Sequence, residues 1–177
     1  MQVRKAAVLG AGVMGAQIAA HFVNAKVPAL LFDLAAKEGD PNGIVQKALD
    51  NLKKIDPAPL SVSSGVSFIQ AANYDQHLPL LRECDLVVEA ISERMDWKSS
   101  LYERVTPHLS EQAIFASNTS GLSINSLAKS LPAPLRRRFC GVHFFNPPRY
   151  MHLVELIGAN ETDPALLDQL ETFLTTA

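Results

Sequence analysis

Val3-Arg4-Lys5-Ala6-Ala7-Val8-Leu9-Gly10-Ala11-Gly12-Val13-Met14-Gly15 is the stretch whose reading decides the fold. A short apolar run from Lys5 to Leu9 reads as a buried strand. Three glycines follow at G-x-G-x-x-G spacing, and then Met14, Ile18, Phe22 and Ala25 fall on one helical stripe. A strand, a glycine turn and a helix in that order form the context in which this spacing holds a dinucleotide. Gly10 lets the chain turn sharply, Gly12 lets backbone N–H groups approach a pyrophosphate, and Gly15 lets the helix pack close to the strand. The helix start, carrying Val13 and Met14, then faces the phosphates with its free amides. The next strand, Ala29 to Phe32, ends at Asp33, which follows Gly15 by 18 residues. That is close to the roughly 20-residue offset at which a carboxylate accepts the ribose 2′-hydroxyl. A 2′-phosphate would be repelled there, and Leu34-Ala35-Ala36 offers no arginine to reverse the preference, although Lys37 is near. The cofactor predicted is NAD rather than NADP; the competing reading is a glycine turn with a solvated aspartate.

Beyond this unit, short apolar runs continue to alternate with helical patterns. Ile44 to Ile55 reads as a helix broken by Asp56-Pro57-Ala58-Pro59, followed by a weak strand near Phe68 to Ala72. Leu86 to Ala90 is a strand, Trp97 to Leu109 a helix, Ile114 to Ala116 a strand and Ile124 to Leu131 a short helix stopped by prolines. Phe139 to Phe144 and His152 to Ile157 read as two more strands, and Leu166 to Leu174 as a last amphipathic helix. The pattern predicts an α/β, Rossmann-like, doubly wound sheet, mainly parallel, with helices on both faces. Residues 1–177 read as one domain, with no internal repeat. The last helix stops at Thr175-Thr176-Ala177 without a capping glycine, which suggests a truncated chain.

The bulk properties narrow the class of function. The chain has 177 residues, 47% of them hydrophobic, enough for one good core. Its 16 basic and 18 acidic residues are spread without a one-signed tail or face, which argues against nucleic acid or a membrane surface. No apolar run approaches the roughly 20 residues of a membrane span, and the first residues lead into a strand rather than a signal peptide, so a cytoplasmic protein is expected. Cys84 and Cys140 have neither CxxC nor histidine-spaced company, so no zinc or other metal site is expected and both read as buried free thiols.

Candidate chemistry lies at the C-terminal ends of later strands, where open α/β sheets bind ligands. Ser117-Asn118-Thr119-Ser120 follows one strand and His143-Phe144-Phe145-Asn146-Pro147 another. Alternation places Glu155 on the strand face of Leu153 and Ile157, an odd position for a carboxylate without a partner. A turn at Pro147-Pro148-Arg149 lets His143 and Glu155 meet as a dyad. The carboxylate then fixes the tautomer of the imidazole and suits it to accept a hydroxyl proton. A core histidine capped by a carbonyl, with Glu155 at the surface, is the alternative. His21, His77, His108 and His152 lack such company and read as structural, and Arg136-Arg137-Arg138 reads as a solvated edge.

Four motifs together resemble the NAD-binding domain of the 3-hydroxyacyl-CoA dehydrogenases, over essentially the whole chain. They are Gly10-Ala11-Gly12-Val13-Met14-Gly15; Asp85-Leu86-Val87-Val88-Glu89-Ala90-Ile91 with Glu93 and Lys98; Ser117-Asn118-Thr119-Ser120; and His143-Phe144-Phe145-Asn146-Pro147 with Leu153-Val154-Glu155. The resemblance implies His143 as catalytic base, Glu155 as its orienting partner and Ser120 as donor to the substrate's 3-oxygen, with Asn146 also near substrate. It places Ala90 and Ile91 along the cofactor, and Glu93, Lys98 and Asn118 by the nicotinamide ribose. The implied reaction is reversible oxidation of 3-hydroxyacyl-CoA to 3-oxoacyl-CoA, a step of fatty acid β-oxidation. Family members continue into an all-helical domain that supplies most of the dimer interface, which implies a homodimer for the full protein, and the sequence looks most like the large bacterial type, in which an enoyl-CoA hydratase-like region can follow the dehydrogenase. The region after Asp33 is shorter than the CoA-touching hairpin of the small mitochondrial type, which leaves the CoA contacts open. Two other readings share these residues: a non-catalytic NAD-binding module, and a dehydrogenase of a small 3-hydroxy acid.

Overall fold

Strands as short and apolar as Ala6–Leu9 are stable only where both faces are covered, and the computed structural model, which describes residues 2–176, provides that cover. The elements run β1 (Ala6–Leu9), α1 (Val13–Asn24), β2 (Ala29–Asp33), α2 (Gly43–Leu52), β3 (Ile69–Asn73), β4 (Leu86–Glu89) and α3 (Met95–Val105). Then follow β5 (Ile114–Ser117), α4 (Ile124–Lys129), α5 (Ala133–Arg136), β6 (Phe139–Phe144), β7 (Val154–Gly158) and α6 (Pro164–Thr176). The strands form one seven-stranded sheet in the order β3-β2-β1-β4-β5-β6-β7. All neighbours are parallel except β7, which pairs antiparallel with β6. This is the expected Rossmann-like architecture.

Alternation along β1 divides the core into two layers. Ala6 and Val8 join Ile18, Phe22, Leu49 and Leu170 on one face, while Ala7 and Leu9 join Tyr102, Leu127 and Phe139 on the other. At roughly 25 cal/mol per Å² of apolar surface removed from water, these two layers are the main favourable term of the fold. Among the described residues no helix is long and apolar enough to cross a membrane.

The departures from the sequence reading are local. The helix expected over 44–55 spans Gly43–Leu52, and the one expected over 97–109 begins at Met95 and gives way at Thr106–His108 to a 3-10 turn. Pro107, lacking an N–H, cannot continue the α-helical ladder there. The strand expected from His152 begins at Val154 and extends to Gly158. Helix α5 and the 3-10 turns at Ser63–Phe68 and Leu78–Glu83 are too short to produce a readable period.

Candidate active site

The chain leaves β1 toward β2 on one side and reaches β4 on the other, so the crossovers part above the β1–β4 pair. At such a switch point the loops after the strands separate and leave a crevice. A cavity of about 940 Å³ opens there, within the size range of small-molecule sites. Its wall runs from Gly10, Gly12 and Asp33 past Ile91 to Ser120 and His143. Val13, Met14, Ala90, Glu93, Asn118 and Asn146 also border it.

The glycine turn forms the near end. Gly10 has φ of +108°, a conformation that L side chains rarely adopt, and donates its N–H to Phe32 O at 2.8 Å. A Cβ on Gly15 would stand 1.8 Å from Gly10 O, so only glycine lets α1 start this close to the turn. A Cβ on Gly12 would meet no protein atom within 4 Å; the space before it belongs to the cavity. No side chain caps α1 at Gly12. Its first amides therefore remain available to an anion, and the residues fit the pyrophosphate of NAD. Asp33 Oδ2 accepts the Ala11 N–H at 2.7 Å and Oδ1 that of Leu34 at 2.7 Å. Each oxygen keeps lone-pair capacity for a ribose hydroxyl, and the carboxylate also pins the turn.

At the far end, the β6–β7 hairpin places His143 directly opposite Glu155. His143 Nδ1 lies 2.8 Å from Glu155 Oε2. With Glu155 ionised, Nδ1 carries the proton and Nε2 is the nitrogen left to take another. The Phe145 ring lies against the imidazole at 4.6 Å between centroids. The face of β7 that carries Glu155 is open rather than buried, with Leu153 at 53% and Ile157 at 38% exposure. Strand pairing, not burial of the carboxylate, therefore supplies the partner.

Between these ends, the loop after β5 is gathered by Glu93. Its carboxylate accepts the Thr119 hydroxyl at 2.7 and 2.8 Å, the Ser120 N–H at 2.7 Å, the Gly121 N–H at 3.0 Å and the Ser120 hydroxyl at 3.2 Å. Burial alone would push the Glu93 carboxyl up. The donors from Thr119, Gly121 and Ser120, with the Lys98 ammonium, outweigh it and hold it down at about 2. Asn118 Oδ1 accepts the Phe144 N–H at 2.8 Å, which ties this loop to the end of β6. Asn146 Oδ1 accepts from Gln17 Nε2 at 3.3 Å.

Lys98 differs from expectation. It is buried behind the cavity wall rather than on it, with its ammonium 2.5 Å from Glu89 Oε1 and 3.4 Å from Glu93 Oε2. The helical turn of α3 points this long side chain inward, where two carboxylates compensate its charge. Sequence reasoning left Glu89 out of the site, although a carboxylate closing the apolar run Leu86-Val87-Val88-Glu89 was a readable signal. Thr119, buried and bonded to Glu93, was likewise passed over. Burial and then Glu89 push the Tyr102 phenol well up, so it stays a donor.

Two smaller expectations met different outcomes. The three arginines lie along a partly solvated edge: Arg137 is exposed and touches Asp163, while Arg136 and Arg138, half-buried, donate to Leu131 O and Glu161 and to Ser110 O and Ala113 O respectively. Cys84 and Cys140 are buried free thiols, pushed up to about 12 by burial and therefore unreactive.

Comparison with known proteins accords with this geometry. Residues 5–177 match the family described as 3-hydroxyacyl-CoA dehydrogenase, NAD binding domain. A Rickettsia felis protein named as a fatty acid oxidation complex trifunctional enzyme is 44% identical over 98% of this chain, and the match covers 24% of that protein. A Deinococcus radiodurans protein named as a 3-hydroxyacyl-CoA dehydrogenase is 38% identical over 98% of this chain and 50% of its own length. The crystal structure of 3-hydroxybutyryl-CoA dehydrogenase from Escherichia coli K12 superposes with a TM-score of 0.82 at 29% identity, covering 99% of this chain and 37% of that one. The chain thus spans between a quarter and a half of these curated relatives. It belongs to the 3-hydroxyacyl-CoA dehydrogenase family, as the NAD-binding domain.

Proposed function

We propose that the protein carrying this chain reversibly oxidises 3-hydroxyacyl-CoA to 3-oxoacyl-CoA with NAD, as a step of fatty acid β-oxidation. The observation that carries the reading is that His143, on the wall of the same cavity as the glycine turn, is paired with Glu155 at 2.8 Å. The names of the relatives support the substrate class.

Bound NAD supplies an acceptor for the hydride that leaves C3 of the substrate. His143 Nε2 takes the proton of the 3-hydroxyl, leaving a C=O at C3 and a positively charged imidazole. Glu155 orients the ring through Nδ1 and stabilises that charge. Ser120 turns its hydroxyl from Glu93 to the 3-oxygen. The cost is small, because Glu93 keeps the Thr119 hydroxyl and the Ser120 and Gly121 amides. Asn118, Glu93 and the amides of α1 orient the cofactor, and Asn146 borders the substrate end. The family resemblance further supports a cytoplasmic homodimer.

The test is an assay of the full protein on 3-hydroxybutyryl-CoA and on free 3-hydroxybutyrate with NAD. His143→Gln is expected to lower kcat about 10²- to 10⁴-fold, the usual contribution of a general base, while NADH affinity stays within about twofold. Undiminished turnover in that variant refutes the base. Preference for the free acid would favour the small-acid reading, and tight NADH binding without turnover of either would favour a binding module.

A further inference from the structure

Glu89 closes β4 with no exposure to solvent, yet it neither borders the cavity nor belongs to the dyad. Four donors converge on it. The Ile91 N–H at 2.8 Å and the Lys98 ammonium at 2.5 Å reach Oε1; the Tyr102 hydroxyl at 2.9 Å and the Ser117 hydroxyl at 2.7 Å reach Oε2. Its backbone carbonyl accepts the Asn118 N–H at 2.7 Å. These partners come from the loop after β4, from α3, from the end of β5 and from Asn118 just beyond it, so Glu89 joins the roots of the two loops that carry Glu93, Asn118 and Ser120.

A fully buried carboxylate is expensive, and packing alone would be served as well by an apolar residue of similar size. The charge arrangement gives it a use. Lys98 lies between two carboxylates and sits closer to Glu89, at 2.5 Å, than to Glu93, at 3.4 Å. While Glu89 holds the ammonium, Glu93 is left to the donors of residues 119–121. Remove the charge of Glu89, and Glu93 becomes the only anionic partner within reach of Lys98 among the described residues. Attraction between the buried ammonium and the half-exposed carboxylate then draws the two together and away from the Ser120 loop.

We propose that Glu89 is a positioning residue: by holding Lys98 behind the cavity wall, it keeps Glu93 on the Thr119–Gly121 loop and so places Ser120 at the reacting end. Its effect on turnover rests on the function proposed above, whereas its effect on the loop does not.

The experiment is amide hydrogen exchange on the full protein, with and without NADH, in Glu89→Gln, Lys98→Met and the double variant. Glutamine fits the site sterically, since its oxygen can face Ile91 and Lys98 and its amide can donate to the two hydroxyls. The expected result for Glu89→Gln is exchange at least tenfold faster at the Ser120 and Gly121 amides, with Val88 and Ala116 in the strands much less affected. NADH-dependent reduction of acetoacetyl-CoA should show kcat at least tenfold lower per folded molecule, with KM within threefold. In the Lys98→Met background, which leaves no buried ammonium unpaired, adding Glu89→Gln should change exchange at those two amides less than twofold. Wild-type protection in Glu89→Gln overturns the proposal, as does an undiminished effect of Glu89→Gln once Lys98 is gone. Should the single variant fail to fold, the comparison of Lys98→Met with the double variant still decides. If the wild-type protein does not reduce acetoacetyl-CoA, the proposed function fails, and the exchange measurement judges the positioning role separately.

Discussion

Gly12 and Gly15 lie three residues apart in one turn, yet alanine at each should do different things. At Gly15 the new methyl would stand 1.8 Å from Gly10 O, where contact needs about 3.0 Å, so the turn and α1 must part by more than 1 Å. The turn cannot yield backwards: the space a Cβ on Gly10 would occupy already meets Ala90 O at 2.8 Å and Ile91 Cγ2 at 2.9 Å. Overpacking on this scale costs roughly 3 kcal/mol, the upper part of the usual range. In a protein of this size that is about 6–12 °C of Tm. At Gly12 the methyl meets nothing and φ is −68°, which alanine adopts freely. Two small terms nearly cancel there. The lower entropy of the unfolded chain contributes about 0.4–1 kcal/mol, and alanine is a poorer helix cap than glycine by a comparable amount. Gly12→Ala should therefore melt within about 2 °C of wild type. Its methyl nevertheless projects where the pyrophosphate must approach the α1 amides, and NADH affinity should fall at least tenfold. Thermal unfolding by circular dichroism and NADH titration by nicotinamide fluorescence measure the two effects separately. NADH affinity within twofold of wild type in Gly12→Ala would refute the placement of the pyrophosphate, and a wild-type Tm in Gly15→Ala would refute the packing argument.

Other consequences are as direct. The Glu93 carboxyl is held at about 2 in the folded protein against an ordinary 4.5, so it stabilises the fold above pH 4.5 and loses that contribution as the pH falls toward 2. With its side chain 41% exposed, the contribution is about 1 kcal/mol after solvent screening. Glu93→Gln should flatten denaturant-measured stability between pH 4.5 and 2, and an unchanged acid slope would contradict the assignment. Asp33→Asn removes the charge that repels a 2′-phosphate while retaining an oxygen for the Ala11 N–H, so the preference for NADH over NADPH should narrow at least tenfold. An unchanged ratio of the two dissociation constants would show that discrimination lies elsewhere.

The legible features share a property: their physical cause lies within a short length of chain. A strand, a glycine turn, a helix and an acid over residues 3–33 form a contiguous unit, so spacing alone indicated what it holds. The His143–Glu155 pair was readable because consecutive strands joined through residues 145–153 pair antiparallel, and register then sets the two residues opposite each other. Lys98 was legible as a residue of interest but not in its placement. Whether a lysine on α3 faces the cavity or the interior depends on Glu89 and Glu93, which belong to other segments. The arginine edge was legible as a surface feature but its partners were not, since Glu161 and Asp163 lie about 25 residues away.

From the amino-acid order alone follow the fold class, the NAD-binding unit over residues 3–33 and the pairing of His143 with Glu155. Only the tertiary structure decided that Glu89, Tyr102 and Ser117 converge beneath the cavity, and that the Ser120 hydroxyl rests on Glu93. The physical reason is that a buried charge is tolerable only when donors surround it. Those donors come from the loop after β4, from α3 and from the end of β5, which become neighbours only once the parallel sheet has assembled.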